Sequence, residues 1–394
     1  MINRRQYIAL PLAAMAVRRA VAQEAAKQQL PAGVPVEEPE SVLLKDYYPR
    51  SIYRIPQTSI PKAKHPVVDV HCHGFRPPQG VDDAVKVMDA AGIEKTVIFT
   101  GASTLERFNE VKALYSNHPG RFDLWCSFDF TGADQPGFPD NAVKVLEACH
   151  HAGATGVGEL SDKGRGFGSR GGGRGGRASA APPNPDLIGP HPDDARMDPL
   201  WQKCSQLGMA VNIHVSDPIW SYQKLDNTND GLMNGYTWRI DVKPNMYGHN
   251  ELIESLERAV KKHPRTIFIA CHLMNLDYDL TRLGQIFDRN PNLYADVSAR
   301  FAETATIPRF VSQFIGKYHN RICYGTDMPY NARMFGTTFR ILESNDEHFY
   351  ERDQYFNYNY HWPLNGFGLP DSVLKNVYHD NAMRAFEEAR KNAA

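Results

Sequence analysis

The clearest chemical pattern in the sequence is a pair of histidines, His71 and His73, within the run Asp69-Val70-His71-Cys72-His73. Side chains alternate across a strand, so the aspartate and both histidines should share one face, opposite Val70 and Cys72. Two neutral imidazoles at this spacing can bind one zinc ion. An H-x-H pair alone is only a moderately specific signal for a metal site, because such pairs also arise by chance or for packing.

Four further apolar runs end in side chains that bind metals or move protons. These ends are Glu159, His214, His272 and Asp327. For any one of them, a buried histidine with its hydrogen bonds satisfied or a capping carboxylate would be an ordinary explanation. Packing explains all five strand ends poorly, since unpaired polar groups inside a fold are costly. Together they indicate one metal-dependent site.

Around these residues the sequence alternates between short apolar runs and helical patterns, which is typical of βα units. The predicted strands are Val67–His73, Thr96–Thr100, Phe122–Phe128, Gly156–Leu160, Ala210–Val215, Thr266–Leu273, Leu293–Val297 and Arg321–Asp327. The predicted helices are Asp82–Ala91, Leu105–Tyr115, Asn141–His151, Pro199–Leu207, Glu251–His263, Leu280–Asp288 and Pro308–Tyr318. Eight strands with intervening helices predict a (β/α)8 TIM barrel, with its site at the carboxyl ends of the strands. An open doubly wound sheet would normally carry a glycine-rich loop after its first strand, where this sequence has His-Cys-His.

The chain of 394 residues is long enough for one such barrel with extensions. Residues 1–22 are predicted to be a signal peptide, because Arg4 and Arg5 precede a short apolar stretch and an A-x-A site that ends at Ala22. The paired arginines indicate twin-arginine export and a periplasmic location. The alternative, an amphipathic helix of the mature protein, is disfavoured by Pro11.

Three segments fall outside the βα rhythm. Residues 23–64 are predicted to form an extended N-terminal arm, and residues 65–394 the barrel domain. After the fourth strand, the Gly/Arg-rich insert 163–185 cannot build a core and is expected to be flexible. Gly/Arg segments can also bind nucleic acid or other polyanions, which is the less favoured interpretation. The tyrosine-rich stretch 350–360 with Trp362 predicts a C-terminal cover packed on the barrel, in line with a helical C-terminal end.

Composition narrows the class of protein. The formal net charge of -1 gives no overall reason to expect nucleic acid or an acidic membrane as partner. No apolar run is long enough for a transmembrane helix. The six cysteines form no C-x-x-C pair and fall in predicted strands and helices, so buried free thiols are expected. A small-molecule substrate is the expected partner, and an apolar C-terminal cover would suit a homodimer.

The strand-end pattern resembles the amidohydrolase superfamily, specifically its amidohydrolase-related branch of metal-dependent hydrolases and decarboxylases. The resemblance covers about residues 67–386 and includes Gly368-Leu369-Pro370 and Asn381-Ala382. It implies a divalent ion, zinc or alternatively manganese, and a set of four ligands drawn from three strand ends. That set is His71, His73, His214 and Asp327.

The resemblance also implies that His272 polarises the substrate or moves protons. In family members with two metals, a carboxylate or carboxylated lysine from the fourth strand bridges the ions, and Glu159 occupies that place here. A binuclear site, with His214 and His272 on the second ion, therefore stays open. We favour one ion, with Glu159 beside it.

The chemistry expected from this set is hydrolysis of an amide, ester or lactone by water that the metal activates. Asp327 would take the proton from this water and pass it to the leaving group. His272 would stabilise the developing oxyanion. The ligand set fits equally a non-oxidative decarboxylase of an aromatic or unsaturated acid. A non-catalytic ligand- or polyanion-binding barrel is a third alternative, which would not need five ligand-type strand ends.

Four residues are candidates for substrate contacts. Arg300 and Arg333 could each hold a substrate carboxylate through two hydrogen bonds, or could belong to surface ion pairs. Tyr330 and Trp220 could line the pocket, or Trp220 could pack within its own loop.

Overall fold

The computed structural model describes residues 33, 35–43, 46–47, 49–74, 80–168, 188–233, 238–240, 242, 244–327, 331–351 and 362–393. The predicted signal peptide, most of the Gly/Arg-rich insert, Tyr330 and most of the tyrosine-rich stretch lie outside the described residues.

Eight parallel strands pair in sequence order to form the sheet. They are β1 (Val67–Cys72), β2 (Ile93–Phe99), β3 (Phe122–Cys126), β4 (Gly156–Asp162), β5 (Ala210–Val215), β6 (Phe268–Ala270), β7 (Leu293–Asp296) and β8 (Ile322–Cys323). Beyond β8 the chain returns to β1, where the Val70 amide donates to the Tyr324 carbonyl at 3.0 Å. The strands thus form a nearly closed barrel, and the prediction of a (β/α)8 fold is confirmed.

Helices flank the barrel and bury their apolar faces against it. The described helices are α1 (Val81–Ala91), α2 (Leu105–Tyr115), α3 (Phe138–His151), α4 (Asp198–Gln206), α5 (His249–Lys262), α6 (Leu280–Arg289), α7 (Phe301–Thr304), α8 (Pro308–Lys317), α9 (Ala332–Glu343), α10 (Asp371–Lys375) and α11 (Asn381–Lys391). In α5, for example, Leu252, Ile253 and Leu256 are buried at helical spacing. Among these described helices, none combines the length and apolarity that crossing a membrane requires.

The inside of the barrel is filled by apolar side chains from most of its strands. Val68, Val97, Trp125 and Ile269 belong to this inner cluster together with residues of α11. Phe386 of α11 packs against Trp125 with ring centroids 5.8 Å apart. The C-terminal helix therefore covers the barrel, and the polar strand ends gather at the opposite, carboxyl end.

The end of β1 does not alternate as expected. Val70 packs in the inner cluster, whereas Cys72 packs in the outer one, so the prediction that they share a face is wrong. The pairing of β1 with β2 shifts register between Asp69 and Cys72. The buried Asp69 carboxylate accepts from the His71 amide at 3.1 Å and from the Thr326 hydroxyl at 2.7 Å. An irregularity of this kind redirects a side chain, and here it brings His71 into the barrel mouth.

Two strands, β6 and β8, end three or more residues earlier than predicted. β6 ends at Ala270, because residues from His272 to Asn275 have φ between 52° and 59°. β8 ends at Cys323, and Asp327 has φ of 60°. Left-handed backbone cannot continue a strand. The segments that follow β6 and β8 therefore turn at the barrel mouth, at His272 and Asp327.

The described part of the predicted N-terminal arm has little regular structure, apart from a 3₁₀ turn at Pro39–Ser41. The arm is attached near the end of α9, where Asp346 accepts from both the amide and the hydroxyl of Thr58 at 2.6 and 2.7 Å. Arg340 of α9 donates to the same carboxylate at 2.7 Å.

Candidate metal centre

His71 is the deepest residue of the candidate site. Its Nε2 lies 3.3 Å from Asp327 Oδ1 and 3.8 Å from Glu159 Oε1. This nitrogen is buried and makes no hydrogen bond to any described residue. A buried polar atom without a partner is costly, and a ligand nitrogen that faces an ion is a common reason for one. The environment of His71 therefore fits a metal ligand.

His73 and Asp327 complete a group of three ligand-type residues around the same point. His73 Nε2 lies 3.0 Å from Asp327 Oδ1, and the ligand atoms of His71, His73 and Asp327 all lie within 4.8 Å of one another. Burial would raise the pKa of Asp327, but the two histidines outweigh it and hold the pKa well below its usual range. The side chain of His73 is 35% exposed and that of Asp327 is 27% exposed, so solvent reaches this side of the group.

Glu159 lies at the centre of the polar cluster. Its Oε1 is 2.7 Å from His214 Nδ1 and 3.7 Å from His272 Nε2, and its Oε2 is 3.3 Å from His73 Nε2. Burial acts to raise the pKa of this carboxyl, but His214 and the other histidines lower it well below the usual range. Glu159 is therefore an anion that contacts histidines from three strand ends.

A second group of ligand-type residues overlaps the first. His71, Glu159, Cys271 and His272 have ligand atoms within 4.8 Å of one another. Both groups share His71, so the described residues could hold one divalent ion in either group. Carboxylate, imidazole and thiolate donors are all used by zinc, and the first two by manganese.

His214 is the predicted ligand that the structure does not bring into either group. Its Nδ1 faces Glu159, and its Nε2 donates to the Ser216 carbonyl at 2.7 Å. Both ring nitrogens thus face oxygen acceptors. Burial lowers the pKa of His214, but the attraction of Glu159 and Asp217 outweighs it and raises the pKa. In this arrangement His214 binds the central carboxylate.

His272 occupies a different environment. Its Nδ1 lies 2.9 Å from both the carbonyl and the hydroxyl oxygen of Ser298, and its Nε2 faces Glu159 and Asp327 at 3.7 and 3.9 Å. Burial lowers its pKa. A neutral imidazole with one nitrogen directed into the site is suited to polarise a carbonyl or move a proton.

The sequence reasoning missed Asp296, which ends β7. Its Oδ2 lies 3.0 Å from His71 Nδ1, and its Oδ1 accepts from the amides of His272 and Ser298 at 3.0 and 3.1 Å. Burial would raise the pKa of Asp296, but the field of His71 and these hydrogen bonds lower it to about 2. The sequence did contain a signal for this residue: Asp296 lies at the end of the seventh apolar run, just as ligand-type side chains lie at the ends of five other runs.

Cys271 was also missed as a site residue. All six cysteines are buried free thiols, as predicted. The Cys271 thiol, however, lies 2.6 Å from Asn212 Oδ1 and belongs to the second ligand group. Burial raises its pKa well above the usual range, so it is a thiol in this arrangement. Its position directly before His272 was the available signal.

The predicted substrate arginines both have acidic neighbours. Arg300 is buried, with its Nε 3.4 Å from Asp277 Oδ1 and its Nη1 3.8 Å from Glu303 Oε1. Arg333, on α9, donates to Glu351 at 3.3 Å. Each arginine therefore belongs to an ion pair, and a substrate carboxylate would compete with the protein carboxylates there.

Trp220 lies in the loop after β5, with its ring 5.9 Å from that of Trp362. The Trp362 indole in turn donates to the Ala302 carbonyl at 3.1 Å. The described end of the predicted C-terminal cover thus contacts the β5 loop. The fourth candidate, Tyr330, lies outside the described residues.

Among solved structures similar in fold, a 5-carboxyvanillate decarboxylase from Novosphingobium aromaticivorans, complexed with manganese and 4-hydroxy-3-methoxy-5-nitrobenzoic acid, is 13% identical; the match covers 82% of this chain and 96% of that chain, with a TM-score of 0.45. The 4-oxalomesaconate hydratase from Rhodopseudomonas palustris is 13% identical, and the match covers 82% of this chain and 96% of that chain, with a TM-score of 0.47. A probable 2-pyrone-4,6-dicarboxylic acid hydrolase from Acinetobacter baumannii is 10% identical, and the match covers 82% of this chain and 99% of that chain, with a TM-score of 0.46.

A search of curated proteins finds no match. The family model described as Amidohydrolase matches residues 68–387, which span all eight strands and the candidate site. This match covers most of the chain, and the protein therefore belongs to the amidohydrolase family of metal-dependent enzymes.

Proposed function

We propose that this protein is a metal-dependent hydrolase that acts on an amide, ester or lactone of a small, carboxylate-bearing molecule. The observation that carries the proposal is the convergence of His71 Nε2, His73 Nε2 and Asp327 Oδ1 at the solvent-accessible end of the barrel. Membership of the amidohydrolase family supports the same class of reaction.

We propose one divalent ion, zinc, held by His71, His73 and Asp327. The Nε2 of His71, which is buried and has no hydrogen bond within the part of the chain that the structure describes, supports this assignment. The role of His214 as a fourth ligand stays a prediction, since its Nδ1 binds Glu159 in the arrangement described. When bound, a divalent ion supplies Lewis acidity that polarises a carbonyl and acidifies water.

The protein's own groups divide the remaining work. Asp327 is ionised and reaches the accessible side of the cluster, so it can accept a proton from water and return it to the leaving group. His272 directs Nε2 into the site from a ring held by Ser298, so it can stabilise negative charge on the carbonyl oxygen. Glu159 keeps His214 and His73 oriented around the same space.

Two ionised carboxylates next to the site favour hydrolysis, because hydrolysis begins with removal of a proton from water. Non-oxidative decarboxylation instead requires delivery of a proton to carbon. The decarboxylase of an aromatic or unsaturated acid is therefore the alternative outcome of the test below.

The test is turnover of zinc- and manganese-loaded protein on two panels, one of esters, lactones and amides and one of aromatic and unsaturated acids. We expect acid release from the first panel and no carbon dioxide from the second. Release of carbon dioxide without hydrolysis would replace the proposed reaction by decarboxylation. Failure to bind either metal would overturn the metal-dependent assignment itself.

We also propose that the chain is exported to the periplasm by the twin-arginine route, on the basis of Arg4, Arg5 and the site that ends at Ala22. Cell fractionation tests this proposal. Replacing both arginines by lysine should leave the protein in the cytoplasm with residues 1–22 attached. Processing and export that continue unchanged would contradict it.

A further inference from the structure

Asp296 is a buried carboxylate with donors on both oxygens. Oδ1 accepts from the amides of His272 and Ser298 and from the Ser298 hydroxyl at 3.0, 3.1 and 2.5 Å. Oδ2 lies 3.0 Å from His71 Nδ1 and 3.2 Å from Asn212 Nδ2. The two backbone amides anchor Oδ1, so the orientation of the whole carboxylate is set by the main chain.

This orientation determines where the ring proton of His71 resides. The Ser298 hydroxyl also lies 3.0 Å from His71 Nδ1, but its hydrogen is donated to Asp296 Oδ1. Because an ionised carboxylate only accepts hydrogen bonds, His71 Nδ1 must carry the hydrogen that it donates to Oδ2. A histidine that binds a metal ion is a neutral imidazole with a single hydrogen, so with that hydrogen on Nδ1 the lone pair available to an ion is on Nε2. Nε2 is buried, has no hydrogen-bond partner among the described residues, and faces Asp327 and Glu159.

We propose that Asp296 is a positioning residue that fixes the ring nitrogen with which His71 can bind the metal. The proposal rests on the metal-dependent function proposed above. Asp296 lies behind the ring and acts on the ion only through His71. Carboxylates that hold a histidine in this way orient the ring and set its tautomer, and losing them costs metal affinity.

The decisive variant is Asp296→Asn, because the structure predicts how the new amide would lie. The two backbone amides require an oxygen at the Oδ1 position, which leaves the NH₂ group at the Oδ2 position. There it would point a donor at the hydrogen on His71 Nδ1. His71 can relieve this clash by moving its hydrogen to Nε2, which removes the lone pair from the site.

Two properties of the Asp296→Asn variant test the proposal, its affinity for zinc and the position of the ring hydrogen on His71. The zinc Kd, obtained by competition with a chelator at pH 8, should rise about 10- to 100-fold. In metal-free protein labelled with ¹⁵N-histidine, NMR should show that His71 Nδ1 has lost its hydrogen. His272 is an internal control, because its Nδ1 donates to the Ser298 carbonyl and should keep its hydrogen.

The chain offers a matched control in Asp162, also fully buried. Its Oδ1 accepts from the amides of Gly164 and Gly166 at 2.9 and 2.8 Å, and its Oδ2 lies 2.7 Å from His191 Nδ1. Asp162→Asn should therefore move the hydrogen of His191 while changing the zinc Kd less than about threefold. This control separates a general cost of burying an amide from the effect on His71.

The proposal is overturned if Asp296→Asn binds zinc as tightly as the wild type. It is equally overturned if His71 Nδ1 keeps its hydrogen in the variant, or if Asp162→Asn weakens zinc binding as much. A wild-type protein that binds neither zinc nor manganese would defeat the proposed function instead. In that case the NMR measurement on metal-free protein still decides whether Asp296 sets the tautomer of His71.

Discussion

Glu159 Oε1 lies 2.7 Å from His214 Nδ1, so a carboxylate within β4 holds the histidine next to the last residue of β5. This pairing engages His214 with a protein anion at the position where a metal ligand was expected. It also places one carboxylate within 3.8 Å of nitrogens from His71, His73 and His272. Glu159 is therefore the residue whose replacement distinguishes one ion at the site from two.

Replacing Glu159 by glutamine should test that dependence. With one ion on His71, His73 and Asp327, the variant should still bind about one zinc per chain, while activity falls about 10- to 100-fold because His214 loses its charged partner. Elemental analysis and initial rates are the measurements. A fall from two ions to one would contradict the mononuclear site and favour a bridging role for Glu159.

Removing both histidines of β1 should abolish metal binding. The double variant His71→Ala and His73→Ala takes away two of three ligands, so zinc content should fall to less than about a tenth of the wild-type value. His151→Ala, an exposed histidine at the end of α3, is the control and should retain the full content. Unchanged zinc in the double variant would place the metal elsewhere.

Asp327→Asn should separate binding from chemistry. The amide oxygen can still coordinate, but it cannot accept and return a proton, so kcat should fall about 10²- to 10⁴-fold while much of the metal stays bound. Steady-state kinetics with metal analysis on the same sample test this. A rate within about twofold of the wild type would remove Asp327 from proton transfer.

His249 should make stability depend on pH. Its ring is buried and donates to the Asn275 carbonyl at 3.1 Å, and burial lowers its pKa from 6.5 to about 4. Between these values the unfolded chain binds a proton that the folded chain does not. The free energy of unfolding should therefore fall as the pH drops from 6.5 to 4, by up to about 3 kcal/mol from this group.

Urea unfolding of the wild type and of His249→Gln across this pH range provides the measurement. Glutamine can still donate to the carbonyl but does not titrate, so the difference between the two proteins should shrink or reverse at low pH. A difference that stays constant from pH 7 to pH 4 would show that His249 is not the group responsible.

The architecture and the residue types at the barrel mouth could be predicted from the order of residues along the chain. Apolar runs alternating with helical patterns predict the strands and helices because burial of apolar faces is periodic and local. The H-x-H pair on β1 and the polar ends of later strands point to a metal site, since strand ends in this fold meet at one edge. These inferences require only the order of residues along the chain.

The contacts between individual polar atoms could not be predicted in this way and are visible only in three dimensions. His71 and Asp296 are 225 residues apart, and their contact depends on barrel closure and on a register shift in β1. The turn of His272 across the mouth depends on left-handed backbone angles that leave no trace in hydrophobic periodicity. Likewise, the acidic neighbours of Arg300 come from side chains brought together by folding. Contacts between polar atoms extend over a few ångströms in three dimensions, and a one-dimensional pattern does not contain those distances.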